Sequence, residues 1–198
     1  MRPKLILGSS SKYRGAALQT LGLSFTQVSP DIDETPQHAE HPQQLAQRLA
    51  AAKANVIASQ HPGAVVIGSD QVGWCEGRHL GKPGKLEAAK LELSRNSGRK
   101  ATFYTGLAVC QFDSAEGVKM STDVIATELQ FRVLSETEID HYVSEDRPID
   151  SAGGFKAESL GIALFEYVKA DDPSALIGLP LITLVSRLRE FGINPLSG

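Results

Sequence analysis

The sequence predicts an α/β protein built on a mixed, twisted sheet flanked by helices. Short apolar runs alternate along the chain with stretches of helical periodicity. One apolar run, 64–67, has no polar alternation, which is typical of a strand covered on both faces. Two long runs of strand-forming residues, 102–112 and 121–133, are separated by a short turn at 113–117 and indicate an antiparallel pair.

Polar turns and prolines separate the expected elements in the first third of the chain. The serines that follow the first apolar run are good N-cap residues for a helix. The segment 29–43 contains three prolines and several acids, so we expect a loop there. The expected elements are a strand at 4–7, a helix at 13–21, a strand at 25–28, a helix at 42–59 and a strand at 64–67, which Gly68, Ser69 and Asp70 end.

The rest of the chain continues the alternation of strands and helices. A hairpin is expected over 72–80, turning near Glu76 and Gly77. Ser135 and Glu138 have capping-box spacing and begin a helix that ends near residue 145. Further helices are expected at 86–94 and 180–191, and a further strand at 162–168. No repeat or linker divides the sequence, so we expect 1–198 to form a single domain, with or without two lobes.

Composition limits the classes of partner. A net charge of −3 leaves no general basic surface for a nucleic-acid backbone, so a bound anion must be held by a local cluster. The apolar runs are too short to span a bilayer, which predicts no membrane association. Cys75 and Cys110 lie far apart, with no second pair of cysteines. A reduced, cytoplasmic protein is the simplest interpretation.

A candidate anion site lies at the first junction between strand and helix. The stretch from Ser9 to Arg14 combines short hydroxyls, two cations and the free N–H groups of a helix N-terminus. These features together suit a phosphate. Alternatively, the serines cap the helix while Lys12 and Arg14 are solvated.

Acidic residues form two further candidates. Asp31, Asp33 and Glu34 in the proline-rich loop could hold Mg²⁺ or Mn²⁺, or could simply be solvated. Asp70 follows a buried apolar strand, at the place where α/β folds commonly bind ligands. It could act as a general base or a metal ligand, or it could cap a turn.

Two lysines are held in unusual surroundings. Lys82 lies between Gly81 and Pro83, where a rigid turn could direct its ammonium at a phosphate or leave it exposed. Lys53 lies close to the apolar face of its helix, so it either extends to solvent or serves a site. The sequence has no P-loop, dinucleotide fingerprint or nucleophile elbow, and its histidines lack metal-ligand spacing.

The order of these motifs resembles the Maf-like nucleoside-triphosphate pyrophosphatases. The matching blocks are 7–11 with Arg14, 33–35, 48–54, 68–72, 81–83, 104–106, 152–155 and 177–180, which cover nearly the whole chain. The resemblance implies hydrolysis of a nucleoside triphosphate to the monophosphate and pyrophosphate, with Mg²⁺ or Mn²⁺. It also implies the fold of the inosine-triphosphatase-like enzymes, with two lobes around a cleft, and often a homodimer.

The resemblance assigns roles residue by residue. Asp70 matches the catalytic aspartate, and Glu34 with Asp70 would share the metal. The remaining phosphate-handling positions correspond to Ser9, Arg14, Lys53 and Lys82. Two positions depart from the family pattern, because Lys12 replaces the usual proline and Gly15 replaces a second arginine. We expect the first change to loosen the turn and the second to remove a phosphate contact.

At three positions the residues resemble those of the family members that act on 7-methyl-GTP. Gln71 follows the aspartate, Tyr13 precedes Arg14, and Glu158 follows the 152–155 block. A methylated base carries positive charge and stacks well on an electron-rich ring. A carboxylate can accept hydrogen bonds from guanine that thymine cannot offer. The alternative is that Tyr13 covers the helix N-terminus and Glu158 forms a surface ion pair.

Two other functions stay open on the sequence. One is a pyrophosphatase that prefers dTTP or UTP. The other is a nucleotide-binding regulator without turnover, which the replacements at Lys12 and Gly15 suggest. Retention of Asp70 and Glu34 together speaks against a pure binder, which would not need the acid pair.

Overall fold

The computed structural model of the chain describes residues 3–115 and 117–197. Over these residues the strands are β1 (Leu5–Gly8), β2 (Thr26–Val28), β3 (Val65–Cys75), β4 (Arg78–Leu80), β5 (Lys100–Asp113), β6 (Gly117–Phe131) and β7 (Phe165–Lys169). The α-helices are α1 (Lys12–Gln19), α2 (Pro42–Gln60), α3 (Leu86–Asn96), α4 (Glu136–Asp146) and α5 (Leu181–Glu190). Short 3₁₀ helices cover Ala152–Gly154, Leu160–Leu164 and Pro173–Ile177. Within the described ranges, no helix has both the length and the apolar character to cross a membrane.

The strands form one mixed sheet in the order β2-β1-β3-β5-β6-β7, with β4 attached to β3. β1 pairs in parallel with both β2 and β3, whereas β4 and β7 pair antiparallel with β3 and β6. The predicted mixed sheet flanked by helices is therefore confirmed. Gly8 pairs with Gly68, so Ser9 leaves β1 at the level of Ser69 in β3. This register brings the first serine loop next to the middle of β3.

The chain divides into two compact units, and neither is one continuous segment. The first comprises the described residues of Met1–Gln71, Thr105–Ile125 and Asp172–Gly198. The second comprises Val72–Tyr104 and the described residues of Ala126–Asp171. The expected single domain and the cleft implied by the resemblance stay predictions.

The first unit buries its strands on both faces, as the run at 64–67 predicts. Successive side chains of a strand point to opposite faces, so neighbouring residues enter different clusters. One cluster gathers apolar residues of β1, β3, β5 and α5: Leu7, Ile67, Leu107, Leu184 and Leu188. The other gathers residues of the same strands with α2: Ile6, Val66, Ala108, Ala54 and Ile57. Both clusters hold the strands that carry the candidate site.

The backbone of helix α2 approaches the backbones of β3 and β5 closely at two glycines, Gly68 and Gly106. A Cβ added at Gly68 would lie 2.2 Å from the Ala50 carbonyl oxygen, and one at Gly106 would lie 2.1 Å from the Ala46 oxygen. Only a hydrogen fits at these positions. The close approach brings Lys53 of α2 within reach of β3.

The second unit is organised around four phenylalanines. Neighbouring rings of this group have centroids 4.9–5.9 Å apart and meet edge-to-face or tilted, which aromatic pairs favour. The rings belong to Phe103, Phe131, Phe155 and Phe165. Nearby, the Gly153 N–H donates to Gly81 O and the Gly84 N–H donates to Ile149 O. These bonds fasten the loop that carries Lys82.

Most element positions agree with the sequence predictions to within a few residues. Glu76 and Gly77 have positive φ values of 44° and 84°, as the predicted hairpin turn requires. The predicted capping box is present, since Ser135 and Glu138 each bond the other's backbone. The predicted turn at 113–117 includes Glu116, which lies outside the described residues.

The prediction that β3 ends at Asp70 is wrong. The strand continues to Cys75 and pairs with β4 over its last residues, so Asp70 lies in the strand interior. Gly68, Ser69 and Asp70 were expected to end the strand, and residues of these types favour turns. Here Gly68 makes room for α2, and Ser69 bonds two carbonyl groups. Tertiary contacts therefore outweigh the local preference.

The predicted strand at 162–168 begins later than expected. Residues Leu160–Leu164 form a 3₁₀ helix, and the strand covers Phe165–Lys169. The Asp146 carboxylate accepts bonds from the Ser159 hydroxyl at 2.7 Å and the Gly161 N–H at 3.2 Å. These bonds hold the start of the segment away from the strand geometry.

We expect Gly106→Ala to destabilise the protein by about 1–3 kcal/mol, because the new methyl group overlaps the α2 backbone. The matched control is Gly81→Ala, where an added Cβ has no heavy atom within 4 Å. Urea denaturation followed by circular dichroism measures both. Equal midpoints for the two variants would contradict the close packing of α2 on β5.

Candidate functional site

A buried lysine joins two carboxylates at the centre of the first unit. The Lys53 ammonium lies 2.6 Å from Asp70 Oδ1 and 2.6 Å from Glu34 Oε1. The Lys53 side chain is only 7% exposed, so it does not extend to solvent. A buried charge is tolerated only when it is paired and hydrogen-bonded, and both carboxylates meet that need. Three predicted site residues are therefore brought together.

The three residues come from three different elements. Lys53 lies in α2, Asp70 lies within β3, and Glu34 lies in the loop that precedes α2. Glu34 is largely exposed although it contacts Lys53, whereas Asp70 is buried. The alternative that the acidic loop is simply solvated does not hold for Glu34. Asp33 instead accepts from the Thr35 backbone N–H at 2.9 Å, and hydrogen bonds from the Thr35 side chain and backbone lower the pKa of the Asp33 carboxyl.

Arg14 and Ser9 form the second part of the site. The Ser11 hydroxyl caps α1 by accepting from the Arg14 backbone N–H at 3.3 Å. The Arg14 guanidinium donates from Nη1 to Ser9 Oγ at 3.2 Å and from Nε to Gly178 O at 2.9 Å. The serines thus cap the helix as one alternative proposed, but Arg14 is not simply solvated. Its two bonds fix the plane of the guanidinium.

Arg14 is electrostatically linked to the acid pair. Burial lowers the pKa of the Arg14 guanidinium, while the charges of Asp70 and Glu34 oppose that shift. An arginine keeps its charge in such surroundings because its ordinary pKa is so high. The site therefore contains two cations, Arg14 and Lys53, and two carboxylates.

The Gly178 carbonyl ties the turn after residue 173 to both α1 and β3. It accepts from Arg14 Nε and lies 2.8 Å from the Ser69 hydroxyl, which also lies 2.8 Å from Gly106 O. Ser69 is fully buried. Gly178 lies in the matching block 177–180, but the sequence does not predict its role, because a backbone carbonyl leaves no signal in the residue type.

Gln71 is held by the same turn. Its Nε2 donates to Ala175 O at 3.0 Å, Leu176 O at 3.0 Å and Thr105 Oγ1 at 3.1 Å. The side-chain nitrogen is therefore committed to the protein. The carbonyl oxygen Oε1 is the atom of Gln71 that can serve a ligand, and it can only accept a hydrogen bond.

The other residues predicted to bind substrate lie in different places. Tyr13 is partly buried at the start of α1, and the Lys12 ammonium lies 5.2 Å from its ring centroid. Lys82 and Glu158 belong to the second unit, and both are exposed. Their roles toward a substrate stay predictions.

The candidate ligands of a divalent cation are the carboxylates of Glu34 and Asp70. Among the described residues, no group of three or more His, Cys, Asp or Glu side chains is arranged to hold a metal ion. Glu34 and Asp70 nevertheless contact one common ammonium, so their carboxylates lie close to each other. Mg²⁺ in nucleotide sites commonly uses one or two carboxylates together with substrate phosphates. The two acids fit that pattern.

Known proteins are similar to this chain over nearly its whole length. A family model described as "Maf-like protein" matches residues 4–191. The chain belongs to the Maf-like family. The 7-methyl-GTP pyrophosphatase of Bordetella pertussis is 51% identical over 196 residues, which cover 99% of this chain and 96% of that protein. The 7-methyl-GTP pyrophosphatase of Bordetella avium is 50% identical over 98% of this chain and 96% of its own.

Solved structures of lower similarity also match the Maf-like chain. A HAM1 protein from Coxiella burnetii is 19% identical, with a TM-score of 0.48, over 95% of this chain and 99% of that one. The Ham1 protein of Staphylococcus aureus is 14% identical, with a TM-score of 0.47, over 96% and 100% of the two chains.

One feature that sequence reasoning missed in this Maf-like chain is an ion pair that fastens the acidic loop. Arg48 of α2 donates to both carboxylate oxygens of Glu40, at 2.7 and 2.9 Å, and its Nη2 also donates to Thr35 O at 3.1 Å. Thr35 directly follows Glu34, so the pair holds the backbone beside that residue. Glu40 lies just before the N-cap of α2 and Arg48 lies eight positions later within the helix, a spacing that matches no side-chain pair of a regular helix.

We expect this ion pair to make stability depend on pH below 5. The Arg48 hydrogen bonds lower the pKa of Glu40 from 4.5 to about 2 in the folded protein. The pair therefore stabilises the fold fully above pH 4.5, and this contribution is lost as the pH falls from 4.5 toward 2. Glu40→Gln should lower Tm at pH 6, and its difference from the wild type should shrink steadily as the pH falls from 4.5 to 2.

The control for this experiment is Glu87→Gln, because the Glu87 side chain is 86% exposed. Thermal unfolding at a series of pH values measures all three proteins. A constant difference in Tm between Glu40→Gln and wild type from pH 6 to pH 2 would contradict the assignment of this pH dependence to Glu40.

Proposed function

We propose that this Maf-like chain hydrolyses a nucleoside triphosphate to the monophosphate and pyrophosphate, and that 7-methyl-GTP is its substrate. The observation that carries this proposal is the buried Asp70, joined through Lys53 to Glu34 beside the fixed guanidinium of Arg14. Relatives with half of their residues identical to this chain carry the name of that activity.

Asp70 is the proposed general base. Its Oδ1 accepts the Lys53 bond, which leaves Oδ2 to take a proton from a water molecule. The water oxygen then bonds the α-phosphorus, and the bond from that phosphorus to the bridging oxygen breaks. The leaving group is pyrophosphate, which keeps both electrons of the broken bond. Lys53 holds the carboxylate in place during the proton transfer.

Arg14 and Ser9 are the proposed phosphate contacts of the first unit. The guanidinium is held by Ser9 and Gly178 before any ligand arrives, so little reorganisation is needed. Lys82 is proposed as a further phosphate contact, on the strength of the family pattern.

Glu34 and Asp70 are proposed to hold a divalent cation, Mg²⁺ or Mn²⁺. When bound, such a cation neutralises phosphate charge and lowers the pKa of coordinated water. A divalent cation is proposed because the charges of Arg14 and Lys53 are already balanced by Asp70 and Glu34, which leaves the triphosphate charge without a partner. The protein itself therefore offers no excess positive charge at this point.

The choice of a methylated guanine is supported by three side chains. The Lys12 ammonium lies 5.2 Å from the Tyr13 ring centroid, and this contact supports a role for the ring face beside a positively charged base. Gln71 can only accept hydrogen bonds, which suits the N–H groups of a guanine. Glu158 is proposed as the second acceptor.

We also propose a cytoplasmic location and a homodimeric state. Both cysteines are free and buried, which is the condition expected in a reducing compartment. The homodimer is proposed from the family resemblance, and light scattering of the purified protein tests it.

Asp70→Asn is expected to lower kcat for pyrophosphate release by about 10²–10⁴-fold, because the amide cannot take the proton from water. Purified protein is assayed with 7-methyl-GTP and Mn²⁺ or Mg²⁺, with thermal unfolding to confirm the fold. Asp140→Asn, a partly exposed acid of the second unit paired with Lys90, serves as the control. Full activity of Asp70→Asn would exclude the mechanism. Nucleotide binding without turnover by the wild type would instead support the regulator.

Tyr13→Leu is expected to reduce the preference for 7-methyl-GTP over GTP by about fivefold or more, since the ring face that attracts the charged base is lost. Tyr13→Phe keeps that face and should retain the preference. The measurement is kcat/KM for 7-methyl-GTP, GTP, dTTP, UTP and CTP with each variant. A wild type that prefers dTTP or UTP would refute the proposed substrate.

A further inference from the structure

Gln27 of β2 fastens the serine loop that precedes α1. Its Nε2 donates to Ser9 O at 2.6 Å and to Ser11 O at 3.0 Å. A single side-chain amide thus holds the carbonyl groups on both sides of Ser10. None of the motif blocks includes Gln27, and nothing in the sequence around it indicates a role.

The loop that Gln27 holds is the one that presents the phosphate-binding groups. Ser9 Oγ accepts from the Ser11 N–H at 3.2 Å and from Arg14 Nη1 at 3.2 Å. Ser11 O accepts from the Gly15 N–H at 3.1 Å in the first turn of α1, in addition to the bond from Gln27. The carbonyls bound by Gln27 therefore belong to the same residues whose hydroxyls hold Arg14 and cap the helix.

Gly15 provides the space that Gln27 occupies. A Cβ added at Gly15 would lie 2.8 Å from Gln27 Oε1, closer than real Cβ atoms approach their neighbours. The Gln27 side chain is exposed and can swing away, so a larger residue at position 15 would displace it rather than break the fold. Displacement would remove both bonds to the serine loop. Gly15 and Gln27 thus form a matched pair.

We propose that Gln27 is a positioning residue that fixes the Ser9–Ser11 loop for binding the triphosphate, and that Gly15 makes this possible. This pair explains both departures from the family pattern. A proline at position 12 would restrict the turn covalently, whereas here two hydrogen bonds from β2 restrict it. An arginine at position 15 could not coexist with Gln27 in its present conformation. The inference rests on the proposed function only for the identity of the ligand.

A double-mutant cycle with Gly15→Ala and Gln27→Ala tests the pair. Gln27→Ala should raise KM for 7-methyl-GTP about tenfold, the size expected for two lost hydrogen bonds, with kcat within about twofold. Gly15→Ala alone should raise KM in the same direction because it displaces Gln27. In the double variant, Gly15→Ala should not raise KM beyond the value of Gln27→Ala, because the space beside position 15 is then free.

A second readout does not depend on activity. Amide hydrogen exchange at Ser11 and Gly15, whose N–H groups are bonded within the loop, should accelerate in Gln27→Ala and in Gly15→Ala. Gln27→Glu keeps the shape of the side chain but replaces the donor by a carboxylate that faces two carbonyls, so it should behave no better than Gln27→Ala. Thr26→Ala, at the exposed neighbouring position in β2, is the matched control and should match the wild type.

The outcomes separate this inference from the proposed function. A wild type that binds and hydrolyses no triphosphate refutes the proposed function, while the exchange rates still test the fastening by Gln27. Additive effects of the two alanine substitutions on KM, or wild-type KM in Gln27→Glu, overturn the inference. Faster exchange with an unchanged KM also overturns it, because Gln27 would then order the loop without positioning a ligand.

Discussion

The site depends on the two ion pairs that the Lys53 ammonium makes. The ammonium holds one carboxylate from a buried strand and another from an exposed loop, each at 2.6 Å. Removal of one member of a buried charge cluster leaves the others uncompensated, which is far more costly than the loss of a surface ion pair. Lys53 reaches this position only because Gly68 and Gly106 let the α2 backbone lie against the sheet. The packing of a helix thus determines the geometry of a charge cluster.

Around these ion pairs, the loops of the first unit are fastened mainly by bonds to backbone carbonyls. Arg14 and Ser69 meet at Gly178 O, Gln71 holds Ala175 O and Leu176 O, and Arg48 holds Thr35 O. A backbone carbonyl is present at every residue, whatever side chain the residue carries, although Gly178 itself has a positive φ of 101° that favours glycine. Loops fixed in this way can tolerate changes at many of their own positions while the charged groups stay in place.

Much of the fold could be predicted, because the apolar periodicity of β1, α2 and β5 directly reflects their burial. The clustering of Lys53 with Asp70 and Glu34 was suggested by the motif order. The interior position of Asp70 in β3 could not be predicted, since Gly-Ser-Asp reads locally as a turn and only contacts with α2 and Gly178 keep it extended. Arg48–Glu40 and the bonds of Gln27 were also beyond prediction, because their spacings of 8, 16 and 18 positions match no regular helix or strand pattern.

A side chain at position 15 overlaps the Gln27 amide, so the order in which positions 15 and 27 change during evolution matters. A lineage that loses Gln27 first removes the overlap before a Cβ appears at position 15. A lineage that changes Gly15 first passes through a protein whose serine loop has lost its fastening while Gln27 is still present. Both routes lead to the same final sequence, but only the first avoids an intermediate protein in which a side chain at position 15 overlaps Gln27. Relatives that carry glutamine at 27 are therefore expected to carry glycine at 15.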